Sequence, residues 1–451
     1  MVYLPHWPIP STLGKRQIDY ETVFERMSCV LEKLGNPHQK LPPVIHVTGT
    51  NGKGSATALM AQTFSCAGYR AHVYTSPHLH DCNERIVLAG AKISDNFLFE
   101  VMEEVRLAAA ETDLTFMEAF TIGAFLAFSK TPADVVIIEC GMGGRIDATN
   151  IIEKKLATLI MPISFDHVEY LGNSIERIAL EKAMIMRPQT PLIVAAQPQK
   201  AREIIEILAR DQNVETYFYD EDFAILRDEE SGEFDLKFEN KILQNLPKPA
   251  LLGDHQYINF ATAIAAILAI GDKFEISENA IKQAISTVFW PSRLEKVENN
   301  LNKILKNPDS EILIDGAHNE AGAFALAEFI AAKKDKKTFI IAGFSRGKCK
   351  KEFLEKFKNI AEVIAVRVDG EPYPESAETI SKIGESIGMK IFAAEDLFEA
   401  ISYAEKSSNS QSCRIVICGS LHLARDVKKF GDYPFTTICH LEQSERSREL
   451  D

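Results

Sequence analysis

The sequence predicts an α/β protein of two domains, a parallel sheet with helices on both faces followed by a smaller doubly wound α/β domain. Three observations lead there. Short β-branched runs alternate with longer segments of helical spacing. Two of these runs end in glycine turns, at Gly49–Gly54 and Gly141–Gly144. The chain has 451 residues, too many for one core of ordinary size.

Residues 18–36 have amphipathic spacing and are expected to form a helix closing near Gly35. Pro42-Pro43 break the chain, and Val44-Ile45-His46-Val47 reads as a buried parallel strand. After the glycine turn, Ser55–Ala67 has helical spacing with Gly68 as its C-cap. Strand, glycine turn and helix in that order open a nucleotide-binding domain. Helices are expected over 97–110 and 116–128, and strands over 134–140, 156–163 and 191–196. Between 214 and 246 short alternating runs suggest a small antiparallel insertion, and a helix follows over 259–270. The polar stretch 296–310 breaks the pattern, so the domains are drawn as 1–295 and 296–451. A second series of strands, over 312–315, 338–342, 363–368, 390–393 and 414–418, builds the second domain. The charged tail 442–451 is expected to be mobile.

Composition excludes several classes. Apolar residues make up 46% and charged residues 25%, a globular rather than a disordered balance. The formal net charge of −14 argues against nucleic acid or a membrane surface as partner, because both reward a basic face. Anionic small molecules stay open, since a local site can be basic. There is no apolar run of about 18 residues, the length a spanning helix needs. The N-terminal segment has no basic region followed by an apolar core, so no secretory signal is expected. Eight cysteines without a CxxC pair fit reduced thiols in a cytoplasmic protein.

Four groups of residues can carry chemistry. The first is His46-Val-Thr-Gly49-Thr50-Asn51-Gly52-Lys53-Gly54-Ser55. Backbone N–H groups of such a turn face phosphate oxygens, and the next helix brings its positive end to the anion. Lys53 would bind the terminal phosphates and Ser55 would hold Mg²⁺. The strict phosphate-loop pattern is not met, because Val47 stands where glycine is required and Gly54 where serine or threonine is required. A tight turn with a solvated lysine is the plain alternative. Strand–turn–helix context favours phosphate binding.

The second is Glu139, at the carboxyl end of its strand, where ligands of parallel sheets sit. It is a natural Mg²⁺ ligand or an ordinary strand-end carboxylate. The third is Asp166-His167 with Glu181-Lys182; alone, Lys182 reads as a solvated surface lysine. The fourth is dispersed over Gly253–Asn259, Trp290–Glu295 and Asp315–Asn319. Arg293 could neutralise a transferring phosphoryl group, and Asp315 and His318 follow a strand of the second domain.

In this order, the segments HVTGTNGKGS (46–55), TSPHL (75–79), ERI (84–86), GMGGRIDATN (141–150), DH…LG (166–172), EKA (181–183), GDHQ…N (253–259), SRLE (292–295), DGAHN (315–319) and GSLHL (419–423) resemble the folylpolyglutamate synthase and dihydrofolate synthase family, a branch of the Mur ligases. The resemblance implies a phosphate-loop-type first domain and a Rossmann-like glutamate-ligase domain. It implies a ligase of folate biosynthesis and one-carbon metabolism, using ATP and one or two Mg²⁺ ions. ATP would phosphorylate a carboxylate of dihydropteroate or of a folate, and L-glutamate would attack the acyl phosphate. Ser55 and Glu139 match ligands of the first Mg²⁺, His167 one of a second, and Ser76 a segment near both metal and folate. Lys182 matches a lysine that becomes carbamylated and then serves at the metal. Asn259, Arg293, Asp315 and His318 match positions that hold ATP, and Asp147 with Thr149 a region close to the pterin. Lys53, Lys182, Arg293 and His318 are the implied catalytic set, and a monomer is expected.

The sequence departs from the family at Met117, where phenylalanine is common, at Met184 and Ser292, where glycine is usual, and over 343–348. None of these removes a phosphate or metal residue. Two other readings stay open at this point, a Mur-type ligase for another acyl substrate and an ATP-binding regulator without ligase activity. The second domain's glutamate side, tail length and choice of pterin acceptor are not legible in these segments.

Overall fold

The computed structural model describes residues 20–432, apart from 348–349, 370 and 372. The tail 442–451 and the start of the first expected helix lie outside these residues. The chain forms two units: Met1–Leu251 with His255–Trp290, and Leu252–Asp254 with Pro291 onward.

The first unit contains β1 (Val44–Thr48), β2 (Ala71–Tyr74), β3 (Ile86–Leu88), β4 (Ala91–Lys92), β5 (Val135–Glu139), β6 (Ala157–Ile160), β7 (Leu192–Val194) and β8 (Thr216–Phe218). They form one sheet in the order β4-β3-β2-β5-β1-β6-β7-β8. The pairs from β2 to β8 are parallel, and β3 and β4 fold back antiparallel at one edge. Every residue of β1 and β5 is buried, as central strands covered on both faces require.

Strand alternation divides the core in two. Ile45, Val47 and Ile137 pack with Leu59, Phe64, Phe260 and Ile281 from the helices Lys53–Cys66, His255–Ala269 and Glu278–Thr287. Val44, Val136 and Ile138 pack on the other face with Val30, Val101 and Phe125 from the helices Val23–Lys33, Asp95–Ala108 and Phe116–Lys130. His46 falls on this second face by the same alternation.

The expected antiparallel insertion is present but smaller. Its strands are β9 (Phe223–Arg227), β10 (Phe234–Phe238) and β11 (Lys241–Leu246). β8 instead extends the main sheet, parallel to β7. Both kinds of strand are half-buried and short, so periodicity alone does not separate them.

The second unit contains β12 (Glu295–Lys296), β13 (Glu311–Ile314), β14 (Lys337–Ala342), β15 (Glu362–Ala365), β16 (Phe392–Ala393) and β17 (Cys413–Cys418), in the order β12-β13-β17-β14-β15-β16. Only β12 is antiparallel to its neighbour. Separate apolar clusters cover the two faces, one around Leu313, Ile340 and Phe353 and one around Ile312, Phe339 and Ile401. Among the described residues, no helix is long and apolar enough to cross a membrane.

Glu118 links two helices on the second face of the first unit. Its side chain is 3% exposed and accepts from Arg26 Nη2 at 2.6 Å and Nε at 3.2 Å. It also accepts from the Thr115 N–H while Thr115 caps the same helix. Removing one partner of a buried pair leaves the other charge uncompensated. Glu118→Ala is therefore expected to destabilise the first unit by about 3 kcal/mol in urea unfolding, whereas a surface carboxylate such as Glu104 should matter far less when replaced.

Candidate active site

β1 lies between β5 and β6, where the chain's crossovers diverge to opposite sides. Ligands of open α/β sheets bind outside the carboxyl ends of the strands at such a point. Gly49–Gly52 leave β1 there, and the helix Lys53–Cys66 begins at once. Gly52 is left-handed, with φ 82°, and a β-carbon on it would collide with Asn259 Oδ1. A β-carbon on Gly54 would strike the Trp290 indole. The loop is thus glycine-rich because Asn259 and Trp290 close on it, as well as to let backbone face a ligand.

The loop is held at its start. The Thr50 and Asn51 N–H groups donate to the Pro162 carbonyl at 2.9 and 3.2 Å. Thr50 Oγ1 and the Ser164 backbone exchange hydrogen bonds of 3.0 Å in both directions. Lys53 Nζ donates to the Gly49 and Thr50 carbonyls, both at 3.1 Å, and lies 3.9 Å from Glu139 Oε1. Ser55 Oγ is buried and has no hydrogen-bond partner. Glu139 is 4% exposed at the end of β5, in register with Val47.

Lys182 departs from its reading as a surface lysine. It is 4% exposed, and its Nζ donates to the Gly49 carbonyl at 2.8 Å. The helix Ile175–Ala183 places it on the inner face beside Ile178 and Ala179. Burial pushes its pKa down to about 7, and the Lys53 ammonium acts in the same direction. Its neighbour Glu181 instead faces outward to Arg145, at 3.0 Å. Spacing along a helix of nine residues does not reveal which of two adjacent polar side chains is inward.

The second glycine turn forms another cluster. A β-carbon on Gly141 would lie 3.3 Å from the Met117 methyl, and 3.5 Å from both Ser76 Oγ and Asp147 Oδ2. Ser76, Met117 and Asp147 therefore converge over Gly141. Asp147 Oδ1 accepts from the Thr149 N–H at 3.0 Å, and Oδ2 from the Met142 N–H at 2.9 Å. Arg85, which carried no assigned role in the sequence, is buried beside this cluster. Its Nη1 donates to Met117 Sδ at 3.4 Å, and its guanidinium lies 5.6 Å from the centre of the Phe116 ring. His167 adopts a left-handed φ of 49° and begins the short helix Val168–Leu171.

The second unit gathers Arg293, Asp315 and His318 at the carboxyl end of β13. Asp315 accepts from the Leu294 N–H at 2.9 Å and the Ala317 N–H at 2.8 Å, so its carboxylate fixes two loops. Arg293 Nη1 donates to the Ser292 carbonyl at 2.8 Å, and His318 Nδ1 lies 2.8 Å from the Gly316 carbonyl. Ser292, where the family usually has glycine, has φ 56°. It keeps the left-handed backbone that glycine would adopt freely, at a cost on the order of 1 kcal/mol. Met184, at the other glycine-replacing position, has φ −67° and needs no glycine.

Among the described residues, no three His, Cys, Asp or Glu side chains gather at metal-holding spacing. Ser55 and Glu139 nevertheless fit a hard divalent cation, since both offer oxygen and the Ser55 hydroxyl is buried without a protein partner.

Comparison with known proteins agrees with this arrangement. The family profile described as Mur ligase middle domain matches residues 47–267, and that described as dihydrofolate synthetase, C-terminal domain, matches 296–430. A dihydrofolate synthase/folylpolyglutamate synthase of Bacillus subtilis is 31% identical over 430 residues, covering 92% of this chain and 96% of the relative. A FolC structure from Escherichia coli, in complex with DHPP and ADP, superposes with a TM-score of 0.80 at 28% identity, covering 90% of this chain and 92% of that one. A bifunctional folylpolyglutamate synthase/dihydrofolate synthase from Yersinia pestis, complexed with AMPPNP and Mn ion, gives 0.79 at 26% identity, covering 90% and 92%. With near-complete coverage on both sides, the chain belongs to the dihydrofolate synthase/folylpolyglutamate synthase family of the Mur ligases and is an ATP-dependent ligase.

Proposed function

We propose that the protein joins L-glutamate to dihydropteroate, with ATP activating the pterin-borne carboxylate as an acyl phosphate. The observation that carries this is the set formed by the Gly49–Ser55 loop, Lys53, Glu139 and the buried Lys182 at one switch point. The match of residues 296–430 to a dihydrofolate synthetase C-terminal profile supports dihydropteroate as acceptor. Extension of folate tails is the second reading, supported by the bifunctional names of the relatives.

A carboxylate is a poor electrophile because oxide leaves badly. Transfer of the γ-phosphoryl group to it creates a phosphate leaving group, and the glutamate amine then attacks the carbonyl to form the amide and release phosphate. This chemistry needs position and charge stabilisation more than covalent help. The loop would cradle the phosphates, and Lys53 would swing from its carbonyl partners to the transferring group. Ser55 and Glu139 would hold Mg²⁺, with Ser76, His167 and Lys182 at the rim of the site. The ion would supply charge neutralisation on the phosphate oxygens. Asn259, beside Gly52 in the first unit, would bind nucleotide. Arg293, Asp315 and His318 are proposed as nucleotide residues on the family resemblance alone. Asp147 would meet the pterin.

Lys182 is proposed to be carbamylated. Its amine adds to the carbon of CO₂ and loses one proton, which leaves a carboxylate-like group. Burial beside the Lys53 ammonium supports this, because it disfavours a second cation there. Modification would turn repulsion between the two side chains into attraction. A monomer is proposed on the family resemblance alone, and a cytoplasmic location on the scattered cysteines without a CxxC pair.

Release of ADP is expected only when dihydropteroate and L-glutamate are both present; release with either alone would overturn the ligase reading, and turnover with tetrahydrofolate but not dihydropteroate would favour tail extension. Lys53→Ala should lower kcat by about a hundredfold or more, and near-normal turnover would remove Lys53 from phosphoryl transfer. Lys182→Ala should lose activity, short carboxylates should restore part of it, and native mass spectrometry of the wild type should show the increment of one CO₂. Full activity in the variant would exclude the carbamate.

A further inference from the structure

His46 stands in the middle of β1, between strand neighbours Ile138 and Thr158, in a run otherwise made of Val, Ile and Thr. It is fully buried. Its Nε2 lies 2.8 Å from Thr149 Oγ1 and 3.1 Å from Cys140 Sγ, and its Nδ1 has no partner. Thr149 Oγ1 in turn lies 2.5 Å from Asp147 Oδ1.

The protons in this chain can be assigned by counting. A carboxylate accepts only, so the single hydroxyl proton of Thr149 goes to Asp147. Thr149 Oγ1 is then left to accept, and of the two groups facing it His46 Nε2 is the nearer, at 2.8 Å against 3.6 Å for the Cys140 Sγ. That requires the proton on Nε2 and leaves Nδ1 as a bare acceptor. Burial holds the imidazole well below its ordinary pKa, with Lys155 and Arg187 acting in the same direction, so the ring carries this one N–H. A buried acceptor without a partner is a cost that an apolar residue would avoid. The imidazole is accounted for by what its other nitrogen does.

Thr149 is 1% exposed and its hydroxyl is engaged on both sides. It is therefore placed to act on Asp147 and not on a ligand. We propose that His46 is a positioning residue for pterin-acceptor binding, donating from Nε2 to Thr149, which donates to Asp147 and fixes the carboxylate that converges with Ser76 and Met117 over Gly141. This rests on the ligase reading above, which takes Asp147 as the group meeting the acceptor. Without the Nε2 donor, the Thr149 hydroxyl is free to turn away and Asp147 keeps only its backbone donors. Acceptor binding then weakens while the nucleotide loop, held by other bonds, is left alone.

The test compares His46→Leu, Thr149→Val and His46→Gln, whose amide nitrogen can stand near Nε2, in the full chain. KM for dihydropteroate and for ATP, kcat and melting temperature are measured together. His46→Leu and Thr149→Val should each raise KM for dihydropteroate about tenfold, the scale of one hydrogen bond to a charged group, with KM for ATP within about twofold. His46→Gln should recover most of the loss. The double variant should match the worse single variant, because both break one chain. An unchanged dihydropteroate KM in His46→Leu, losses that multiply in the double variant, or equal rises in both KM values would overturn the proposal. If His46→Leu does not fold, Thr149→Val and His46→Gln decide it by the same readouts. Failure of the wild type to couple ADP release to both substrates would instead defeat the ligase reading itself.

Discussion

Two lysines share one carbonyl. Gly49, at the carboxyl end of β1, accepts from Lys53 at 3.1 Å and from Lys182 at 2.8 Å. One lysine comes from the helix that the loop itself starts, the other from a helix more than a hundred residues later. The shared carbonyl draws both amines to the same end of the sheet, where Lys53 also lies 3.9 Å from Glu139 Oε1 on the neighbouring strand. A pair of amines this close is unfavourable unless one loses its charge or anions arrive; burial first, and the Lys53 ammonium after it, hold the Lys182 pKa down. An anion-activating site is the arrangement that relieves it.

The surrounding sheet makes this possible by being wholly internal. β1, β5 and β6 are covered on both faces, so their ends are rigid and their carbonyl ends converge on a small region. The loop glycines follow from the same crowding: Asn259, on the helix His255–Ala269, presses on Gly52, and Trp290, just after the helix Glu278–Thr287, presses on Gly54. Some polar groups inside the core are tied to one another. Glu118 joins Arg26 and Thr115, and the chain from His46 through Thr149 reaches Asp147.

The second unit uses its parallel sheet in the same way. Asp315 follows β13 and spends both carboxylate oxygens on backbone N–H groups, so it shapes the loops that carry Arg293 and Ala317. Ser292 shows how a family departure is absorbed. The serine keeps a left-handed backbone, which the Gly316 N–H stabilises by donating to the Ser292 carbonyl at 2.8 Å. Conformation is retained there although the residue best suited to it is not.

The sequence by itself determined the class of the protein. Alternating β-branched runs and helical spacing specified parallel sheets, because period and length report burial of strand and helix directly. The order of GTNGKGS, DATN, EKA and DGAHN carried the family and its chemistry, although the loop alone departs from the generic phosphate pattern at Val47 and Gly54. Tertiary structure decided what depends on distance across the chain. It buried Lys182, which local pattern alone reads as a surface lysine, moved β8 into the main sheet, and showed Thr149 facing His46. Each of these is set by packing against residues far away in sequence, and local pattern carries no information about which side of a short helix or strand such a partner will cover.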